Sequence, residues 1–288
     1  MPAAALALVL GAAVLHASWN FLAKRSAGAG APFVWLVDVG SAALWTPVAV
    51  VAIAVSSPTF GWAGVGLAVG SAVLHVGYFL FLQLGYRSGD LSTVYPLARG
   101  VGPLLATIGG IALLGERPGP WGLLGAVLVA GGVLVLARSG ARSAAATGST
   151  SGVGAGVVTG VFIAAYTLWD AHAVADVDIS PLLYGWATAI GETAILSPVA
   201  ISGWPAVREA WRSYHREVLA VSVLAPLAYL LVLIALTEAP VSAVAPTREL
   251  SIVIGVVLGG RLLRETDATL RVIAAAAVVT GVVFLAVS

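Results

Sequence analysis

Of 288 residues only 9% are charged while 60% are hydrophobic, mean hydropathy is +1.02 and net charge is +1. An ordinary soluble domain carries about 25% charged residues, so this chain cannot cover a water-facing surface, and a soluble globular enzyme is excluded. Disorder has the opposite bias, the near-zero charge offers no field for nucleic acid, and the absence of cysteine removes disulfides and thiol chemistry.

Ten apolar segments follow one another: Ala3–Leu22, Phe33–Val55, Trp62–Leu84, Ser92–Leu114, Trp121–Ala137, Val153–Leu168, Leu182–Ile201, Val218–Leu236, Val241–Leu263 and Leu270–Val287. They are continuous rather than alternating, which excludes an outer-membrane barrel. Each is close to the ~20 residues that cross the hydrocarbon as a helix. The first cations, Lys24 and Arg25, come after the first segment. A signal peptide carries its cations before the apolar stretch, so the first segment is expected to be retained as a span. The expected fold is therefore an all-α integral membrane protein of ten transmembrane helices.

The Ser-, Ala- and Gly-rich stretch 138–152 divides the segments five and five. Shifting the second half by 150 residues places Trp169-Asp170 on Trp19-Asn20, Tyr166 on His16, Pro246 on Pro96 and Ser242 on Ser92. With a one-residue slip, Leu262-Leu263-Arg264-Glu265 matches Leu113-Leu114-Gly115-Glu116. Residues 1–137 and 153–288 are expected to be two copies of one unit joined by a linker at 138–152. An odd number of spans per copy inverts the second relative to the first, an arrangement of secondary transporters. Loops after the odd segments hold Lys24, Arg25, Arg87, Arg138, Arg142, Arg208, Arg212, Arg216, Arg264 and Arg271, whereas the other face has Arg117 alone. The positive-inside rule puts the odd loops in the cytoplasm and both termini outside.

The segment His16-Ala17-Ser18-Trp19-Asn20 with Lys24 resembles the opening of ten-helix, EamA-type members of the drug/metabolite transporter superfamily. So do Val94-Tyr95-Pro96-Leu97-Ala98-Arg99-Gly100, Arg248-Glu249-Leu250-Ser251 and the Leu-Leu-Gly-Glu ending of the fourth segment. The resemblance implies two inverted five-helix repeats and secondary transport of small metabolites, often export of amino acids or related compounds. It also implies cytoplasmic termini, opposite to the charge count.

An ionised side chain at the bilayer centre costs about 2.5–3.5 kcal/mol even on the lenient insertion scale, so charges within the spans are site candidates. Arg99 lies between Pro96 and Pro103, with Gly100 and Gly102 just after it. Proline removes a backbone donor, so the fourth helix is expected to kink or open there. The guanidinium either clamps a substrate anion or pairs with Asp38 or Glu192. Glu249, aligned with Arg99, either couples transport to protons or pairs with an arginine. Arg248 beside it is a second binding candidate, and adjacency on a helix argues against a square Arg248–Glu249 pair. Asp38, shifted by 150, falls one turn from Glu192, so the two carboxylates share a face as a coupling site or as arginine partners. His16, Asn20 and Lys24 form one stripe with Trp19 alongside, mirrored by Tyr166, Trp169 and Asp170. Each stripe lines the substrate path or bonds helix to helix. His75, Tyr78, Phe79 and Gln83 share a face of the third segment. Trp19, Tyr95, Trp169 and Tyr229 are the aromatics kept as pocket walls; the other tryptophans fall near span ends, as interfacial belts do.

The reading is a secondary transporter of a small polar metabolite in a bacterial-type inner membrane, driven by an ion or proton gradient. It has no enzymatic activity, cofactor, metal or nucleotide. Its partners are a small-molecule substrate and the lipid bilayer, with a homodimer allowed. The rivals are an integral-membrane enzyme and a non-transporting receptor or assembly subunit. A compartment reporter fused after Ser288 is expected to report the extracytoplasmic side; a cytoplasmic signal reverses the orientation.

Overall fold

The computed structural model describes residues 1–56, 60–88, 91–146, 152–251 and 268–287. Those residues form ten α-helices and no strand: α1 (Ala3–Arg25), α2 (Ala31–Ser56), α3 (Trp62–Ser88), α4 (Leu91–Leu113), α5 (Pro120–Ala146), α6 (Gly152–Ala171), α7 (Pro181–Ser202), α8 (Trp204–Glu238), α9 (Val241–Thr247) and α10 (Ala268–Val287). Among them α1, α2, α3, α6 and α8 are long and apolar enough to cross a membrane, and α4, α5 and α10 contain shorter apolar stretches. Helix formation follows from burial of backbone groups in hydrocarbon, where only internal hydrogen bonds satisfy them. Under that constraint Pro47, Pro198 and Pro226 remain inside α2, α7 and α8.

Three segment expectations change. The fourth helix does not open at Arg99: α4 is continuous from Leu91 to Leu113. Pro96 and Pro103 each remove one donor, to Ser92 and Arg99 respectively, but neighbouring bonds carry the helix across. The interruption falls in the second half instead, just after α9. There Glu249 N bonds Pro246 O and Ser251 N bonds Arg248 O, both at i→i−3, replacing the α-helical pattern. The stretch Arg208–Arg212, expected as a connection, is the first part of α8, which starts at Trp204 with a proline in its first turn. The proposed linker is helical up to Ala146. Residues 147–151 lie outside the described residues, as does the Leu262–Glu265 motif.

Helix α1 packs on α8 and α6 on α3; α2 packs on α7 and α8, and α7 on α3. Helix α4 meets α5, α6 and α9, while α10 lies along α5 and touches α9, and α9 touches α1. Exchanging the first five helices for the last five turns each of these contacts into another contact of the set or into itself. Closest approach runs through glycine. A Cβ on Gly160 of α6 would sit 2.7 Å from Val101 Cβ of α4, and one on Gly125 of α5 would sit 2.7 Å from Gly281 O of α10. Helices in lipid gain association from such close van der Waals contact, not from a hydrophobic drive.

The Leu-Leu-Gly-Glu ending of α4 ties the halves together. Gly115 takes φ +68°, a left-handed turn that glycine adopts without a Cβ clash. It sends Glu116 across to α9, where its carboxylate accepts Val241 N at 2.6 Å and Ser242 N at 2.9 Å. A carboxylate on the first free N–H groups of a helix is a stabilising cap.

Gly160→Leu is expected to cost about 1–3 kcal/mol through overpacking, read as a lower thermal midpoint in detergent. Gly66→Leu, where an added Cβ meets nothing within 4 Å, is expected to leave that midpoint unchanged.

Candidate functional site

The buried polar side chains fall into three groups. The first joins α4 to the turn after α9. Arg99 (3% exposed) donates from Nη1 to Glu249 Oε1 at 3.3 Å, and its guanidinium lies 5.4 Å from the centre of the Tyr95 ring. Glu249 is fully buried, and Arg248 Nε approaches the same oxygen at 3.7 Å. This contact between adjacent residues falls where the backbone hydrogen bonds tighten to i→i−3. Arg248 is buried too, yet among the described residues its Nε and Nη2, like Glu249 Oε2, have no hydrogen-bond partner. Tyr95 OH meets Ser251 Oγ at 3.4 Å.

The His16 stripe of α1 borders this group. His16 Nδ1 accepts the Trp19 indole N–H at 2.9 Å, which places the ring proton on Nε2. Among the described residues that buried nitrogen has no hydrogen-bond partner, and the ring stands within the electrostatic reach of Arg99 and Arg248. Trp19 packs on Phe79 with ring centres 5.5 Å apart. Asn20 donates to His16 O at 2.8 Å and accepts Tyr86 OH at 3.2 Å, so it is occupied within the bundle.

The second group centres on Asp170 of α6, which is 1% exposed. Its Oδ1 accepts Ser71 Oγ and Tyr184 OH, both at 2.7 Å, and its Oδ2 accepts Tyr229 OH at 2.9 Å. His75 Nε2 stands 4.0 Å away, and the imidazole stacks on Tyr166 at 4.1 Å. One carboxylate thus draws side chains from α3, α6, α7 and α8. Tyr166 lies between this group and the arginines, within electrostatic reach of Arg99, Arg248, Asp170 and Glu249. In the third group the buried Asp38 of α2 and Glu192 of α7 lie within electrostatic reach of each other.

The candidates therefore separate. Arg99 pairs with its 150-offset counterpart Glu249, and not with Asp38 or Glu192, which pair together. Trp169 is not in this interior. It is 40% exposed, donates to Leu67 O at 2.8 Å and covers Gly70 of α3. One position along a helix turns a side chain by about 100°, so Asp170 faces inward while Trp169 faces out. Sequence reasoning passed over Ser71 and Tyr184, the partners of Asp170. A Ser four residues before His75 was the available signal, but hydroxyls at that spacing are common in spans.

A helical bundle with several membrane-crossing helices and ionised side chains buried between them defines a multi-pass membrane protein of the transporter kind. Residues 150–287 match the EamA-like transporter family. Over 83 residues the chain is 37% identical to "Multidrug resistance protein EbrB" of Bacillus subtilis (strain 168), an alignment covering 29% of this chain and 68% of that protein. The chain belongs to the EamA-like transporter family of the drug/metabolite transporter superfamily. A solved structure described as "Crystal structure of protein" shares the fold, with a TM-score of 0.69 over 99% of this chain and 96% of its own, at 19% identity.

Glu249→Gln removes the carboxylate that two buried guanidiniums share, and is expected to cost about 3–5 kcal/mol of stability. Trp169→Phe forfeits one hydrogen bond at the surface, about 1 kcal/mol. Thermal midpoints in one detergent compare the two; an equal loss contradicts the assignment of Glu249 to a buried pair.

Proposed function

We propose that this chain is a secondary transporter moving a small polar metabolite with paired charges, an amino acid or related compound, across a bacterial-type inner membrane by alternating access. One observation carries this reading: among the described residues Arg248 Nη2 and Glu249 Oε2 are buried without a hydrogen-bond partner, and Arg248 Nε has only its 3.7 Å approach to Glu249 Oε1. Each unmet buried group costs about 1–3 kcal/mol. A ligand carboxylate on Arg248 and an ammonium on Glu249 Oε2 would relieve that cost, with His16 Nε2–H as a further donor on the anionic side. In this reading Arg99 positions Glu249, and Arg248 rather than Arg99 is the anion anchor. Tyr95 and Tyr166 are walls.

A cavity of about 300 Å³ is bordered by Met1, Glu116, Ser242 and Ala243, apart from the side chains of the Arg248 group. Ala243 precedes Arg248 by five residues, about 7 Å along a helix. Asp38 and Glu192, two acidic side chains facing each other from α2 and α7, are the coupling candidates. The exchange symmetry of the helix contacts and the 150-residue register support two five-span repeats, 1–137 and 153–288, joined through 138–152. Five spans per repeat make them inverted. The cation distribution supports extracytoplasmic termini, and the reading assigns no enzymatic step.

The name of the Bacillus subtilis relative suggests drug export as a second reading, and Asp170 amid aromatic rings is the feature that would suit an organic cation. Both Asp170 oxygens are already engaged by hydroxyls, which favours the first reading. Purified protein heated with amino acids, organic acids, amines and hydrophobic cations separates them. Stabilisation by zwitterions is expected, with affinity at least tenfold weaker in Arg248→Gln, the loss of roughly one charged hydrogen bond. Stabilisation by hydrophobic cations alone, unaffected by Arg248→Gln, overturns the proposal.

A further inference from the structure

Helix α8 is too long for the membrane it crosses. Its 35 residues extend about 52 Å as a helix, against about 30 Å of hydrocarbon. The excess is at its start, and the backbone marks the division. Tyr214 has φ −133° and ψ 20°, outside helical values, so the rod is two helices meeting at an angle. The part from Tyr214 to Glu238, about 37 Å, suffices to span. The ten or so residues before it form a separate helix of about 15 Å.

The sequence of that short helix is graded around its circumference. Val207 and Ala210 are buried against the protein. At 100° per residue, the next side chains round the helix from them are Trp204 and Trp211, 45% and 44% exposed. Beyond these come Arg208 and Arg212, and then Glu209, which is engaged by Ser213 Oγ at 2.9 Å. Arg216 follows just past the bend. Among the described residues no carboxylate pairs with Arg208, Arg212 or Arg216; the other local acid, Glu217, is held by Arg25 at 3.6 Å. Trp204 also packs edge-on against Trp35 of α2, with ring centres 6.1 Å apart. This fixes the short helix against the side of a membrane-spanning helix. The order from buried apolar to tryptophan to arginine is the order of depth at a bilayer surface. Tryptophan favours the headgroup boundary, and guanidinium groups bind phosphate oxygens in bidentate fashion.

The geometry points to Trp204–Ser213 as an interfacial helix that docks on the headgroups of anionic phospholipids through Arg208, Arg212 and Arg216. Nothing in the transport reading requires this contact, and the three arginines stand apart from the buried groups around Arg248. The occupant is the leaflet itself: the segment belongs to a membrane-crossing helix, lies where that helix leaves the hydrocarbon, and carries three unneutralised cations beside two tryptophans.

The test uses the full chain in nanodiscs of phosphatidylcholine alone or with about one third phosphatidylglycerol, at low and high salt. Wild type is expected to melt several degrees higher in the anionic discs at low salt, with most of the gain lost at high salt. Arg208→Gln/Arg212→Gln/Arg216→Gln should melt alike in both discs, and the triple Lys variant should keep most of the gain, which separates lost charge from damaged folding. An unchanged anionic-lipid gain in the Gln variant overturns the proposal, as does the absence of any gain in wild type. Equal stabilisation of wild type in detergent by inorganic phosphate also overturns it, since that identifies a free-anion site instead of a lipid surface.

Discussion

The Arg99–Glu249 pair sets the condition under which the interior holds together. A guanidinium surrounded by hydrocarbon has no water to solvate it, and a carboxylate with no exposed surface has the same difficulty. Each removes the penalty of the other, at 3.3 Å across two helices whose sequence positions differ by 150. The pair obliges α4 and the turn after α9 to lie side by side. It also draws both arginines to one oxygen of Glu249, while among the described residues the second oxygen and Arg248 Nη2 have no hydrogen-bond partner. The pairing that Arg99 requires therefore also sets which atoms of Arg248 and Glu249 the transport reading assigns to substrate.

Asp170 meets the same constraint by another route. It takes hydroxyl donors from three other helices, and the charge is spread over short hydrogen bonds without a full ion pair. Such an arrangement holds α3, α6, α7 and α8 in register, whereas an arginine partner would fix only one neighbour. Close approach through glycine makes both arrangements reachable: with larger residues at Gly160 or Gly102, α4 and α6 could not approach closely enough to keep Arg99 and Tyr166 within electrostatic reach of each other. Outside the bilayer the logic reverses. Exposed cations on the short helix before Tyr214 have water at hand and need no internal partner, which leaves them available to lipid phosphates.

Much of this was legible from particular residues. The 150-residue register aligned Arg99 with Glu249 and brought Asp38 within a turn of Glu192, and both pairs meet in space. The Leu-Leu-Gly-Glu motif was visible, but its role as a cap on α9 was not, because nothing local records which helix Glu116 reaches. Two prolines around Arg99 suggested an opened helix, yet the opening lies after Pro246, in the other half. Trp169 looked like a wall by its place beside Asp170, and a single step of helical rotation carried it to the surface. Helix α8 was read from its apolar run alone, which begins only after the arginines, although no helix breaker lies between Pro205 and that run.

Sequence alone established the membrane, the number of apolar segments, the short roll of charges inside them and the cation asymmetry of the loops. These follow from composition and spacing, because the cost of placing a charge in hydrocarbon acts on each residue separately. Tertiary structure decided which of those charges are neutralised and which are left with open valences. That outcome depends on the rotation and separation of helices distant in sequence, set by glycine contacts and by one non-helical turn after Thr247. Few charges are needed to build such a protein; where each one finds its partner is a property of the packed bundle.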